Sequence, residues 1–154
     1  MIAVDSVLTA LVNVATTALP SVQVLDGWNG QTDRERTLLI IGFDPQQGSP
    51  VVTTSAELDE GSLCDTLDVH TVTCTLATWD GDMEFPVKRG ALSGHLGTLH
   101  DAIFADQSLG VEAFDAWIAP DMAWFQVVQQ STKDSAARAT VQVDFSITVR
   151  IYRK

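Results

Sequence analysis

Positive charge is scarce in this chain: nine Lys and Arg stand against twenty Asp and Glu, a formal net charge of −11. Nucleic-acid binders concentrate cations to neutralise phosphates, so the balance argues against a DNA-gripping role and against adhesion to an anionic membrane. Cysteine is nearly missing too. Cys64 and Cys74 match no zinc spacing, which would want tight Cys-x-x-Cys pairs, and both are read as buried or semi-buried free thiols. A disulfide needs an oxidising compartment, and nothing in the sequence points to export. No apolar run reaches eighteen residues, so no membrane span is expected. The N-terminus lacks the marks of a signal peptide. Asp5 interrupts it early, no Lys or Arg precedes the apolar part, and that part has helical spacing. Residence in a cytoplasm is the default expectation.

A catalytic constellation is missing as well. His95 and His100 lie five apart on an expected helix, roughly 140° around it, and cannot share a metal as an i, i+4 pair could. His70 and Cys74 share a strand face, but a strand thiol beside threonines is ordinarily inert. Asp80-Gly81-Asp82-Met83-Glu84 resembles the start of a calcium loop. It fails at Phe85, where the loop needs glycine, and at Ala91, where it needs a bidentate glutamate, so it reads as a solvated turn. Gly42 to Gly48 contains no Gly-Lys-Ser/Thr phosphate cradle. Carboxylate pairs can be drawn anywhere among twenty acids, and none of them argues for acid–base chemistry. No enzymatic activity, metal or cofactor is expected.

What the chain does have is apolar patterning. With 154 residues, 45% of them hydrophobic, it fits a single domain over 1–154 that buries roughly 70% of its unfolded surface. Val141, Val143, Phe145, Ile147, Val149 and Ile151 alternate with Gln142, Asp144, Ser146, Thr148 and Arg150. That period of two describes one long strand with an apolar and a wet face, running about 36 Å. Val4, Val7, Leu8, Leu11, Val12, Ala15 and Ala18 predict an amphipathic helix from Asp5 or Ser6 to Leu19, closed by Pro20.

Further strands are expected at Ser21–Leu25, at Thr37–Phe43 with both faces covered, at Val51–Leu58 and at Val69–Trp79. On the last of these, Val72, Cys74 and Leu76 share one face, and Thr71, Thr73 and Thr75 the other. Past Pro86 a helix from about Val87 to Ala105 should bury Leu92, Leu96, Leu99 and Ile103. Its Gly90, Gly94 and Gly97 weaken it while allowing close approach of a neighbour. Val111 to Ala119 is ambiguous, and Trp124–Gln130 forms a hairpin with the final strand. The order α-β-β-β-β-α-β-β predicts an α+β domain, a mostly antiparallel sheet with two helices packed on one face.

Four tryptophans remain: Trp28, Trp79, Trp117 and Trp124. Each is as ready to fill a core as to anchor an interface. Trp28, between Gly27 and Asn29-Gly30, is the strongest interface candidate.

One combination of features goes further. An amphipathic helix leads into Ala18-Leu19-Pro20-Ser21-Val22-Gln23-Val24 and Asp26-Gly27. The middle carries Asp68-Val69-His70-Thr71-Val72-Thr73-Cys74 and then Trp79-Asp80-Gly81-Asp82. A helix ends in Asp106-Gln107-Ser108-Leu109-Gly110, and a hairpin closes the chain. This order resembles the tail terminator (tail completion) proteins of long-tailed, siphovirus-type phages of actinobacteria. The resemblance implies a lambda-type tail-terminator-like fold and a homo-oligomer, a hexameric ring on the head-proximal end of the tail tube. Such a ring stops tube polymerisation and docks the head connector or stopper protein. The family has no catalytic motif to carry over.

On this reading the loops 26–36, 44–50 and 131–137 contact the tube or connector. The interface residues expected are Trp28, Asn29, Arg34, Arg36, Gln46, Gln47 and Lys133 in these loops, and Arg138 just after the last of them. Glu57, Asp59 and Glu60 are expected to face the channel, and six copies of −11 make −66, a wall past which DNA slides without specific binding. Two alternatives stay open. One is a neighbouring neck or head-completion connector protein. The other is a small acidic ligand- or protein-binding module with Trp117 and Trp124 lining a pocket.

Overall fold

The computed structural model describes residues 4–27, 37–43, 50–58, 66–80, 84–130 and 137–152, with the backbone alone at 57, 58, 66, 80, 127–130 and 137–139. Nine elements follow in order: α1 (Val4–Ala18), β1 (Gln23–Asp26), β2 (Thr37–Ile41), β3 (Val52–Leu58), β4 (Thr66–Asp80), α2 (Phe85–Ala105), β5 (Phe114–Ile118), β6 (Ala123–Gln130) and β7 (Ala137–Ile151). The fold is α+β; among the described residues the sheet is mostly antiparallel and seven-stranded, and only β1 and β2 run parallel.

The alternating strands β4 and β7, fifteen residues each, make the antiparallel spine, in register from Asp68↔Ile151 to Asp80↔Ala139. Each is too long for a single partner on its outer side. β4 pairs with β2 along Cys74–Thr78 and with β3 along Thr66–Val72. Thr73 marks the handover: its carbonyl accepts from the N–H groups of Gly42 and Phe43, and its own N–H donates to Val51. β7 is shared in the same way, by β6 along Ala137–Asp144 and by β5 along Ile147–Ile151.

Strand alternation puts Leu39, Ile41, Val72, Cys74, Leu76 and every odd residue of β7 from Val141 to Ile151 on one face. Both helices cover that face. Val7, Leu11 and Ala15 of α1 and Leu92, Leu96, Leu99 and Ile103 of α2 join the same core. The other face carries Thr71, Thr73, Thr75, Gln142, Asp144, Ser146 and Thr148. Most of these are half-buried, but Thr75 is buried and donates to Asp144 Oδ1 at 2.9 Å, an oxygen that Gln142 Nε2 also reaches at 2.9 Å.

Several expectations change in detail. The first helix begins by Val4, and the first strand starts at Gln23, since residues 20–22 are spent turning away from α1. The second strand stops at Ile41, two residues early, because Gly42 takes a positive φ of 77° that redirects the chain before Asp44-Pro45. It is covered on both faces, as expected, with Leu38, Leu39, Ile40 and Ile41 all buried. The ambiguous 111–119 segment supplies an additional strand, β5. The final strand is longer than the alternating run because its first residues pair with β6.

The second helix starts at Phe85 and holds Pro86 in its first turn, where a missing N–H is harmless. Among the described residues, nothing packs closely on its glycines. A Cβ at Gly90, Gly94 or Gly97 would meet nothing within 4 Å. The stripe also includes Lys88, a buried cation the helical pattern gave no reason to expect.

Candidate functional site

The chemistry-bearing side chains of the interior come first. His70 and Cys74 lie on the core face of β4, opposite Val149 and Phe145. The His70 ring is buried; Nδ1 is 2.9 Å from Thr54 Oγ1 on β3, and Nε2 has no hydrogen-bond partner. Val72 stands between His70 and Cys74 in sequence, and no hydrogen bond joins the two. Burial pushes the Cys74 thiol up to about 12, with a backbone hydrogen bond at Gly42 acting weakly the other way. A thiol held protonated is no nucleophile at neutral pH. Cys74 is free and fully enclosed, as the sequence indicates, while Cys64 lies outside the described residues.

Of the helix histidines, His95 is half-buried and His100 exposed. His100 stacks on Phe104 with ring centroids 6.2 Å apart and planes 6° from parallel, and its Nδ1 lies 3.4 Å from Asp101 Oδ1. Among the described residues no three His, Cys, Asp or Glu side chains gather as a metal would require. No helix among them is long and apolar enough to cross a membrane.

Two adjoining openings lie between α2 and the strands after it. One, about 40 Å³, is lined by His100, Ile103, Phe104, Gln107, Ala116, Trp117 and Ile118. The other, about 280 Å³ and mainly apolar, lies among Ser93, Leu96, Gly97, His100, Ile118, Met122 and Trp124. Trp117 lines the first of these openings and Trp124 the second. Register puts Trp117 opposite Thr148 and Trp124 opposite Val143, on opposite faces of the sheet, and Trp117 carries the Arg150 guanidinium 5.0 Å from its ring centroid. A third depression, between α1 and the Leu109–Val111 turn, is open and mixed in character.

The prominent surface feature is the run at the start of β6. Residues 121–126 are exposed in succession, and Met122, Trp124 and Phe125 each keep about 40% of their surface in water. Phe104 on α2 keeps 71%. Single exposed apolar residues are ordinary; three within four positions leading into an edge strand are not. The sequence pattern marked Trp124 only as one tryptophan of four. Met122 and Phe125 escaped notice because alternation shows which residues share a face but not whether anything covers that face.

Of the residues expected to make contacts, Trp28, Asn29, Arg34, Arg36, Gln46, Gln47 and Lys133, together with Asp59 and Glu60, lie outside the described residues. Glu57 and Arg138 are placed by backbone alone, opposite Leu67 and Gln129.

No family model matches the chain, and no curated protein matches it. Among solved structures it is similar to a chain of one described as "Virion of native gene transfer agent (GTA) particle". The identity is 11% over 98% of this chain and 96% of that one, with a TM-score of 0.48. A likeness of that strength carries no argument about function.

Proposed function

We propose that this protein is a structural virion subunit of the tail-terminator kind. Six copies form a ring over the head-proximal end of a phage tail tube, stop its polymerisation and offer the docking surface for the head connector or stopper. The observation that carries the reading is the order in which the resembling segments fall along the elements of the fold. Ala18–Val24 joins α1 to β1, and Asp68–Cys74 forms half of β4. The second helix is α2, Asp106–Gly110 is its terminating turn, and the closing hairpin is β6–β7.

A closed ring needs two different patches on each subunit, and among the described residues the sheet ends on different strands at its two sides. The acidic balance fits a channel that DNA traverses without adhering. On this reading the protein performs no bond-making chemistry and needs no cofactor. Its partners are its own copies, the tube protein and the head-side connector, with no membrane. Trp28, Asn29, Arg34, Arg36, Gln46, Gln47, Lys133 and Arg138 meet tube or connector, and Glu57, Asp59 and Glu60 face the channel.

Electron microscopy of tails assembled with and without the protein tests the role. Overlong, ragged tubes in its absence support a terminator. Tubes of normal length that fail to join heads place the protein in the adjacent neck instead.

A further inference from the structure

The register sets two strand edges at the same height on opposite sides of the sheet. Gln23, Leu38, Ala77, Gln142 and Phe125 form one continuous row across β1, β2, β4, β7 and β6. Val24, Leu39, Leu76, Val143 and Trp124 form the next, and Leu25, Ile40, Thr75, Asp144 and Ala123 the one after. Among the described residues β1 pairs only with β2 and β6 only with β7, so this five-strand section ends on two outer backbone edges.

We infer that copies of this chain join head to tail by pairing β6 of one with β1 of the next, continuing the sheet from subunit to subunit. Three observations single out a second copy as the occupant of the exposed β6 edge. The first is charge. A chain at −11 repels itself over most of its surface, yet residues 6–25, which make all of α1 past Asp5 and all of β1 before Asp26, carry no charged side chain, and neither do residues 122–132 around β6. These uncharged stretches lie at the two opposed edges, where self-repulsion is least.

The second is direction. β6 runs antiparallel to β7, β7 to β4 and β4 to β2, while β1 runs parallel to β2. A sheet continued with the strand axes aligned therefore brings β6 against β1 antiparallel, the better-bonded arrangement. The third is packing. The row on the helix-covered face ends on Trp124, 41% exposed, at one side and on half-buried Val24 at the other. Continuing the sheet sets Trp124 beside Val24 of the next copy. On the reverse face it sets Phe125 beside Gln23 and Leu25. Natural edges are normally blunted by charge or proline, and neither occurs along Ala123–Gln130. Because the two edges stand level, each contact adds little axial rise, as closure requires.

The inference refines the ring reading by naming the subunit contact. The test uses the full chain in a Cys64→Ser background, leaving enclosed Cys74 in place. Gln23→Cys and Phe125→Cys are introduced singly and together, with Gln23→Cys/Ala123→Cys as a pair that captures a two-residue slip along the same face. Opposed residues of an antiparallel pair lie within disulfide reach. Mild oxidation at high protein concentration should convert at least one double variant into a ladder of covalent multimers. An equimolar mixture of the two single variants of that pair should stop at dimers, and each single variant should stay uncrosslinked. Trp124→Lys should raise the concentration for half-assembly, followed by light scattering, at least about tenfold.

Dimers from Phe125→Cys alone would show β6 pairing with itself and overturn the inference. So would a wild-type chain that stays monomeric at every concentration, or annuli in electron micrographs without crosslinks in either double variant. That last result leaves the ring standing and removes only the contact. Crosslinked ladders that grow into open fibres keep the contact and remove the closed ring.

Discussion

Replacing Ile147 by alanine should cost the fold about 2–5 kcal/mol, the range for truncating a large aliphatic side chain in a packed core. Ile147 is 1% exposed in the second half of β7, opposite Val72 on β4 and Ile118 on β5, and belongs to the core both helices cover. Its neighbours on the strand, Ser146 and Thr148, point to the other face and are half-buried. Ser146→Ala and Thr148→Ala should each cost less than about 1 kcal/mol, since neither opens a cavity. Domains of this size hold about 5–15 kcal/mol in all, so Ile147→Ala removes a large share of the stability. Urea unfolding, followed by tryptophan fluorescence and by circular dichroism, measures the three variants. A falling midpoint at constant slope is expected for Ile147→Ala, with a shift several times larger than for its neighbours. Equal losses at 146, 147 and 148 would refute the two-faced strand on which the architecture rests.

Other outcomes follow from single sites. Cys74 should resist alkylation at pH 8 in the folded protein and react on unfolding, read by mass spectrometry in a Cys64→Ser background. Its folded value of about 12 lies above the unfolded 9.0, so its contribution is complete below pH 9. The contribution then falls by about 1.4 kcal/mol per pH unit up to about pH 12. Alkaline unfolding of Cys74→Ala should lack that component. Asp144→Ala should cost about 1–3 kcal/mol by leaving the buried Thr75 hydroxyl without its acceptor, and a double-mutant cycle with Thr75→Val should recover most of it. Gly90→Ala and Gly94→Ala should each stabilise α2 by up to about 1 kcal/mol, measured as a raised melting temperature, because both positions are exposed with open space around them.

The regular parts of this architecture were legible in the sequence because a single periodicity governs them. The even residues of β4 and the odd residues of β7 had to share a face, and the 92, 96, 99, 103 stripe had to lie against it. Where two signals competed, the reading slipped. Thr37–Phe43 is apolar throughout, but Gly42 turns the backbone, and no hydrophobicity pattern records a positive φ. Phe114–Ile118 is too short for its alternation to stand out until β7 is seen to have an unfilled edge along Ile147–Ile151. The glycines of α2 suggested a closely packed neighbour, yet a Cβ at any of them would meet nothing within 4 Å among the described residues, which composition alone does not reveal. The exposed edge at Met122–Gln126 was hidden for a related reason. Aromatic residues on a strand read as core unless the strand order places them at the rim. The loops expected to carry contacts are spaced irregularly, and no pattern in them fixes a geometry.

Counting subunits in the assembled state tests the central claim most directly, by mass photometry or native mass spectrometry of the protein bound to purified tail tubes. The account predicts one closed ring of six copies at one end of each tube. A single copy per tube, or binding spread along the tube wall, would contradict it.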